Sequence, residues 1–185
     1  MEDKFKQELR AFLAGVMPGK ENALVFGEGP LSPRLMLIGE APGEQESLQG
    51  RPFVGKAGKN LDRFLELAGL RREEIYISNA VKFRPTKTGA SGRVSNRPPT
   101  RDEIALFRPW LLREISEVKP GLLVTLGNVP LKAVTNSRMT IGDVYKRQGL
   151  ESGFASARDA CWRMRASLSI VLSFHAASSP ATAHG

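Results

Sequence analysis

Glu40, Glu44 and Glu46 stand close together in a stretch that also carries Gly39, Gly43 and, a little further on, Phe53. The whole stretch, Leu37 to Gly58, reads LIGEAPGEQESLQGRPFVGKAG. A short apolar run ends in Gly-Glu-Ala-Pro-Gly, so glycines, acids and one aromatic gather at the mouth of a strand. Glycines let backbone N–H groups approach a ligand closely, and Pro42 stiffens the turn. The stretch lacks the GK[ST] of a phosphate-binding loop and does not match the GxGxxG dinucleotide fingerprint. Its acids also disfavour a phosphate. A neutral ligand, or one that becomes positive during reaction, fits this charge better. A strand-to-helix turn whose acids simply face water fits the same residues.

The elements that must position these residues follow from periodicity. Leu35 to Ile38 is a continuous apolar run closed by Gly39, as expected of a buried strand. Leu61, Phe64, Leu65 and Ala68 repeat at helical spacing, with Gly69 suited to the position after the helix. Glu74 to Val81 reads as a second strand, and Leu122 to Leu126 as a third, closed by Gly127. Between them Thr100-Arg101-Asp102-Glu103 forms a capping box. The helix it opens would bury Ile104, Phe107, Leu111, Ile115 and Val118, and Pro109 should kink or divide it. Asn128 is a fair N-cap for a last helix. Near the N-terminus Phe5, Leu9, Phe12 and Leu13 share one helical face. Thr86 to Thr100 reads as a long basic loop, a linker or, with Lys87, Arg93 and Arg97, a phosphate-contacting surface. Strands alternating with helices predict an α/β fold, a three-layer sandwich with a central, mostly parallel sheet flanked by helices. Ligands bind such sheets beyond the carboxyl ends of the strands. Gly39 to Glu46, Asn79 to Arg84 and the chain after Gly127 lie there.

The chain has 185 residues, enough for one domain with a proper core. No apolar run approaches the ~20 residues needed to cross a bilayer, so no membrane partner is expected. The lone Cys161 excludes an internal disulfide, which points to the cytoplasm. A net charge of +8 makes a polyanionic partner plausible, nucleic acid first.

VFGEG, LIGEAPGEQE, QGRPFVGKAG, IYISNAVKFRP, NRPPTRDEI and VTLGN occur in this order between about Val25 and Val144. Together they resemble the family 4 uracil-DNA glycosylases. The resemblance implies a base-flipping repair enzyme that hydrolyses the N-glycosidic bond of uracil in DNA and leaves an abasic site. By the same resemblance Phe53 stacks on the flipped ring and Asn79 reads its Watson–Crick edge. The amide oxygen of Asn79 would accept from uracil N3–H while its NH₂ donates to O4. Cytosine reverses both roles, so a fixed amide rejects it. Glu40 lies where the family places the acid that positions water or stabilises an oxocarbenium-like sugar, as carboxylates do in other glycosidic hydrolyses. Backbone N–H groups from Ala41 to Gly43 would bind the uracil carbonyl as charge develops. Glu46 matches a position that crowds a 5-methyl group and so excludes thymine. The expected partner is uracil-containing DNA and the expected state a monomer.

The chain departs from that pattern twice. The family binds a four-iron–four-sulfur cluster through four cysteines, but here VKFRP carries Phe83, LFRPWL carries Phe107, and the N-terminal segment has no cysteine. A cluster needs thiolate ligands, so no metal or cofactor is expected, and Phe83 and Phe107 are expected to meet in apolar packing. The second departure sets residues 1–144, the glycosylase-like domain, apart from 145–185, an aberrant or divergent segment. Asp143 to Gln148, DVYKRQ, matches a translated transposon end, and family pattern returns only at SFHAAS. That string reads either as a degenerate HPAS motif, making His175 the catalytic histidine, or as part of a foreign tail. The tail motivates an alternative function, a catalytically impaired DNA-binding module or fragment on the same fold.

Overall fold

A computed structural model describes residues 2–136 and the two strand residues 171–172. The apolar run at 35–38 becomes β1 (Leu35–Gly39), flanked on one side by β2 (Tyr76–Asn79) and on the other by β5 (Leu122–Thr125). Both neighbours run parallel to β1, and a short β6 (Val171–Leu172) adds antiparallel to β5. The second strand is shorter than Glu74 to Val81, because Arg72–Glu74 forms a 3₁₀ turn ahead of it. Pairing nonetheless continues past its end: Ala80 N–H donates to Gly39 O at 2.8 Å and Val81 N–H to Glu40 O at 3.1 Å.

Alternation along the strands sorts side chains between two faces. Leu37 and Ile77 pack with Leu61 and Leu65 of α3 (Lys56–Leu67). Met36, Ile38 and Leu123 face the other way, onto Leu111 and Val118 of α4 (Arg101–Val118) and Ala133 and Val134 of α5 (Asn128–Thr135). Helix, sheet and helix make the three-layer sandwich expected. The amphipathic α1 (Glu2–Val16) buries Phe5, Leu9 and Leu13 against a separate apolar cluster that includes Phe83 and Phe107.

Three local expectations need correction. Pro109 does not divide α4, which runs unbroken from Arg101 to Val118. Pro109 and Ala105 are both exposed, so the carbonyl deprived of its partner faces solvent. The N-cap of α5 is Gly127, not Asn128, because the chain turns out of β5 at a φ of +112° that favours glycine. The segment 86–100 is not a plain loop: β3 (Thr86–Thr88) and β4 (Val94–Asn96) form an antiparallel hairpin. Its end is stapled by Arg97, whose guanidinium donates two bonds to Glu103, at 2.6 and 2.7 Å. Arg97 is thus committed, while Lys87 and Arg93 remain exposed. The capping box stands as read, with Thr100 Oγ1 accepting from Glu103 N–H and Glu103 accepting from Thr100 N–H.

Candidate functional site

Sheet register brings the site together. Gly39 ends β1 directly opposite Asn79, which ends β2. Both lie on the face shared with Leu37 and Ile77, under the loop that connects α2 (Glu44–Gln49) to α3. A Cβ added to Gly39 would sit 2.5 Å from Asn79 Oδ1 and 2.5 Å from Phe53 Cζ. The amide oxygen and the aromatic ring therefore both close on Gly39, and only a glycine allows that approach. Asn79 is buried and Phe53 half-buried. An apolar ring and a side-chain amide set side by side are groups that can stack a planar heterocycle and read its edge.

Phe53 is held in a backbone conformation that side-chain-bearing residues rarely adopt, with φ at +52°. Opposite charges clamp it there. Glu46 Oε1 accepts from Val54 N–H at 3.1 Å and Gly55 N–H at 2.8 Å. Arg72 donates to Pro52 O at 2.7 Å and to Phe53 O at 3.1 Å. Arg72 also pairs with Asp62 and Glu28, and Glu28 in turn with Arg51. Gly58 completes the clamp, since a side chain there would overlap the Phe53 carbonyl.

The other candidate residues divide. Glu40 is half-buried, and burial raises its carboxyl pKa. Ala41 is partly buried and packs toward the aromatic cluster. Gly43 does not offer a free donor: its N–H binds Glu46 Oε2 at 3.1 Å, closing the first turn of α2. Since Pro42 has no N–H, Ala41 alone in this turn keeps one for a developing anion. Glu46 is buried and its carboxylate serves the backbone on both sides of the loop. His175 lies outside the described residues. Sequence reasoning put Gly39 at the strand end where a ligand would bind but gave it no role of its own, and it missed Arg72. The glycine closing an apolar run was the one available signal; nothing in the spacing marks the arginine.

The Uracil DNA glycosylase superfamily model matches residues 26–180. The chain belongs to this superfamily. The match takes in most of the segment set apart at residue 145. A type-4 uracil-DNA glycosylase of Saccharolobus solfataricus is 46% identical over 109 residues, 58% of this chain and 46% of that protein. One from Thermotoga maritima is 44% identical over 108 residues, 58% of this chain and 52% of that protein. A type-5 uracil-DNA glycosylase of Pyrobaculum aerophilum is 33% identical over 143 residues, 66% of this chain and 59% of that protein. The chain spans about half the length of the type-4 relatives it matches.

Resemblance to the type-4 enzymes implies an iron–sulfur cluster, and two positions where it implies thiolates hold Phe83 and Phe107. Their rings meet with centroids 5.7 Å apart, as the sequence suggested. They are packed by Phe5, Leu9, Leu13 and Phe26, with Met17 at the margin. Each buried ring is worth about 1.5–3 kcal/mol. Among the described residues no group of three or more His, Cys, Asp or Glu side chains could hold a metal ion. Rings and aliphatic chains supply no thiolate, so these residues do not fit the cluster. No described helix is long and apolar enough to cross a membrane.

Proposed function

We propose that this chain hydrolyses the N-glycosidic bond of uracil in DNA, releasing the base and leaving an abasic site. The observation that carries the reading is the convergence of the Phe53 ring and the Asn79 amide oxygen over Gly39. A uracil rotated out of the duplex would stack on Phe53 and present N3–H to Asn79 Oδ1. Unstacking costs a few kcal/mol and is least at weak or mismatched pairs. Glu40, with its half-desolvated carboxylate, positions water or stabilises the cationic sugar, and Ala41 N–H faces the charge that builds on the departing base. Glu46 excludes thymine by fixing how closely the Phe53 loop approaches the ring's 5-position.

The enzyme works as a monomer without an iron–sulfur cluster. Gly39, Phe53 and Asn79 all come from one chain, and Phe83 and Phe107 make apolar contacts where ligands would be needed. The lone cysteine suits a cytoplasmic setting. By the family resemblance His175 is the donor to uracil O2.

The test is release of uracil from single- and double-stranded oligonucleotides, read as strand cleavage after alkali. Asn79→Ala and Phe53→Ala should each cut the excision rate, the latter by the roughly 1–3 kcal/mol typical of base–aromatic stacking. Unchanged rates in both would remove the pocket assignment. Binding of uracil-containing DNA without base release would favour the impaired module instead.

A further inference from the structure

Behind Asn79 lies a buried charged group that the proposed chemistry does not use. Lys82 is fully buried, and its ammonium has three partners for its three N–H bonds. It donates to Ser78 Oγ at 2.6 Å, to the Asn79 backbone carbonyl at 2.9 Å and to Glu114 Oε2 at 2.5 Å. Glu114, on α4, is almost as buried, and also accepts from Ser78 Oγ at 3.0 Å and Tyr76 OH at 3.2 Å. Four side chains from β2, the turn after it and α4 thus close one hydrogen-bonded network beside the residue whose amide oxygen reaches Gly39.

A buried ion pair contributes little net stability, because desolvation offsets the attraction. Apolar residues would fill this space as well. The network has a different consequence at Asn79. The outer edge of β2 is met by the segment 25–28, through an antiparallel bridge of Glu28 with Ile77 and a bond from Val25 N–H to Lys82 O, but none of its backbone donors is bonded to the Asn79 carbonyl between them. Lys82 supplies that missing donor. We propose that the Lys82–Glu114 pair is a positioning device for Asn79. By fixing the backbone at the end of β2 it holds the amide in the one orientation that accepts N3–H and donates to O4. Discrimination of uracil from cytosine then depends on a lysine that never touches the base. This inference rests on the uracil-excising reading above and deepens it.

The full chain carrying Lys82→Met, Glu114→Gln, or both together tests the idea. Each single variant leaves an unpaired buried group and should lower Tm. The double variant is neutral and should recover most of the loss. With Tm recovered, kcat for uracil release should still fall about 10²-fold, the scale set by a misplaced group. KM should change little, because Lys82 and Glu114 are buried and offer no surface to DNA. The side-chain amide of Asn79, followed by NMR relaxation, should drop toward the flexible range, an order parameter below about 0.6. A double variant with recovered Tm, wild-type kcat and a rigid Asn79 amide would overturn the proposal. If the double variant does not fold, Glu114→Asp decides, because it keeps both charges while drawing Lys82 off the carbonyl. Reduced kcat and Asn79 order would support the device; no change in either would overturn it. A wild-type chain that releases no uracil would sink the functional reading alone, since the Asn79 order parameter reads positioning without turnover.

Discussion

The two side chains that meet at Gly39, the walls of the candidate site, are held in place by different physics. Asn79 stands on a strand, paired through β1 and backed by a fully buried ion pair. Phe53 stands on a loop in left-handed backbone, gripped by Glu46 from the amide side and Arg72 from the carbonyl side. The first support is dry and barely screened by salt. The second is partly wet: Arg72 keeps 25% of its side-chain surface, and its partners Glu28 and Asp62 keep 30% and 52%. Ion pairs of that kind weaken as ionic strength rises. Under the proposed function, a rigid reading wall and a softer stacking wall suit a site that must admit a base before it judges it.

The largest expected effect touches neither wall. Glu40 follows Gly39 directly, and burial lifts its carboxyl pKa above the usual 4.5. If its ionised form acts on water or the sugar cation, Glu40→Gln should cost about 10²–10⁴-fold in kcat. The acid limb of the pH–rate profile should lie above 4.5 in the wild type and vanish in the variant. Stability moves the other way. The folded chain holds this proton more tightly than the unfolded one, so Glu40 contributes most below pH 4.5. That contribution is lost as pH rises through the folded pKa. Glu40→Gln should therefore unfold at a higher temperature than wild type at neutral pH. A variant both active and no more stable would remove Glu40 from the site.

Next comes the point where the walls meet. Gly39→Ala places a methyl 2.5 Å from Asn79 Oδ1 and from the Phe53 ring. Both walls must move, and excision should fall about 10²-fold. A structure of the variant distinguishes the walls: the ring should be displaced and the amide should stay. Displacement of Asn79 with Phe53 fixed would invert the comparison.

A smaller effect should single out the soft wall. Arg72→Gln removes the cation from the Pro52 and Phe53 carbonyls, leaving charge-assisted bonds worth roughly 1.5–3 kcal/mol unmade before solvent discounts them. Excision should drop about tenfold, with most of the loss in KM. The wild type should approach the variant as salt is raised, once activity is normalised for DNA binding. A salt-independent gap would mean that Arg72 packs rather than pairs.

Much of this was legible beforehand because it is local. Strand and helix periods and the Thr100 capping box can each be read within a few residues, whereas the roles of Phe53 and Asn79 came only with the resemblance to the family. What stayed hidden depends on register or on long reach. The role of Gly39 exists only because Asn79 lies opposite it across a parallel pair. Arg72 reaches the Phe53 carbonyl across |i−j| of 19, and Lys82 meets Glu114 across 32. Gly43 was misjudged for a related reason: the Glu46 carboxylate folds back onto its N–H, which residue types alone do not reveal. The hairpin at 86–96 was missed because its strands are short and polar, without the alternation that marks a half-buried strand.

The smallest expected effect on excision lies in the aromatic cluster, the region most remote in kind from the two walls. Phe107 is completely buried against Phe83 and the α1 side chains. Phe107→Ala should cost about 3–5 kcal/mol, the usual result of emptying a core aromatic site. Denaturant unfolding should show it as a lower midpoint. Below the new transition kcat should match the wild type, because neither Asn79 nor Phe53 is held by this cluster. The cluster does touch the site's rim at one place, through Ala41. A fall in kcat at constant folded fraction would therefore mean that the rings position the Ala41 N–H. The cluster would then belong to the catalytic framework, as a third wall of rings and aliphatic chains.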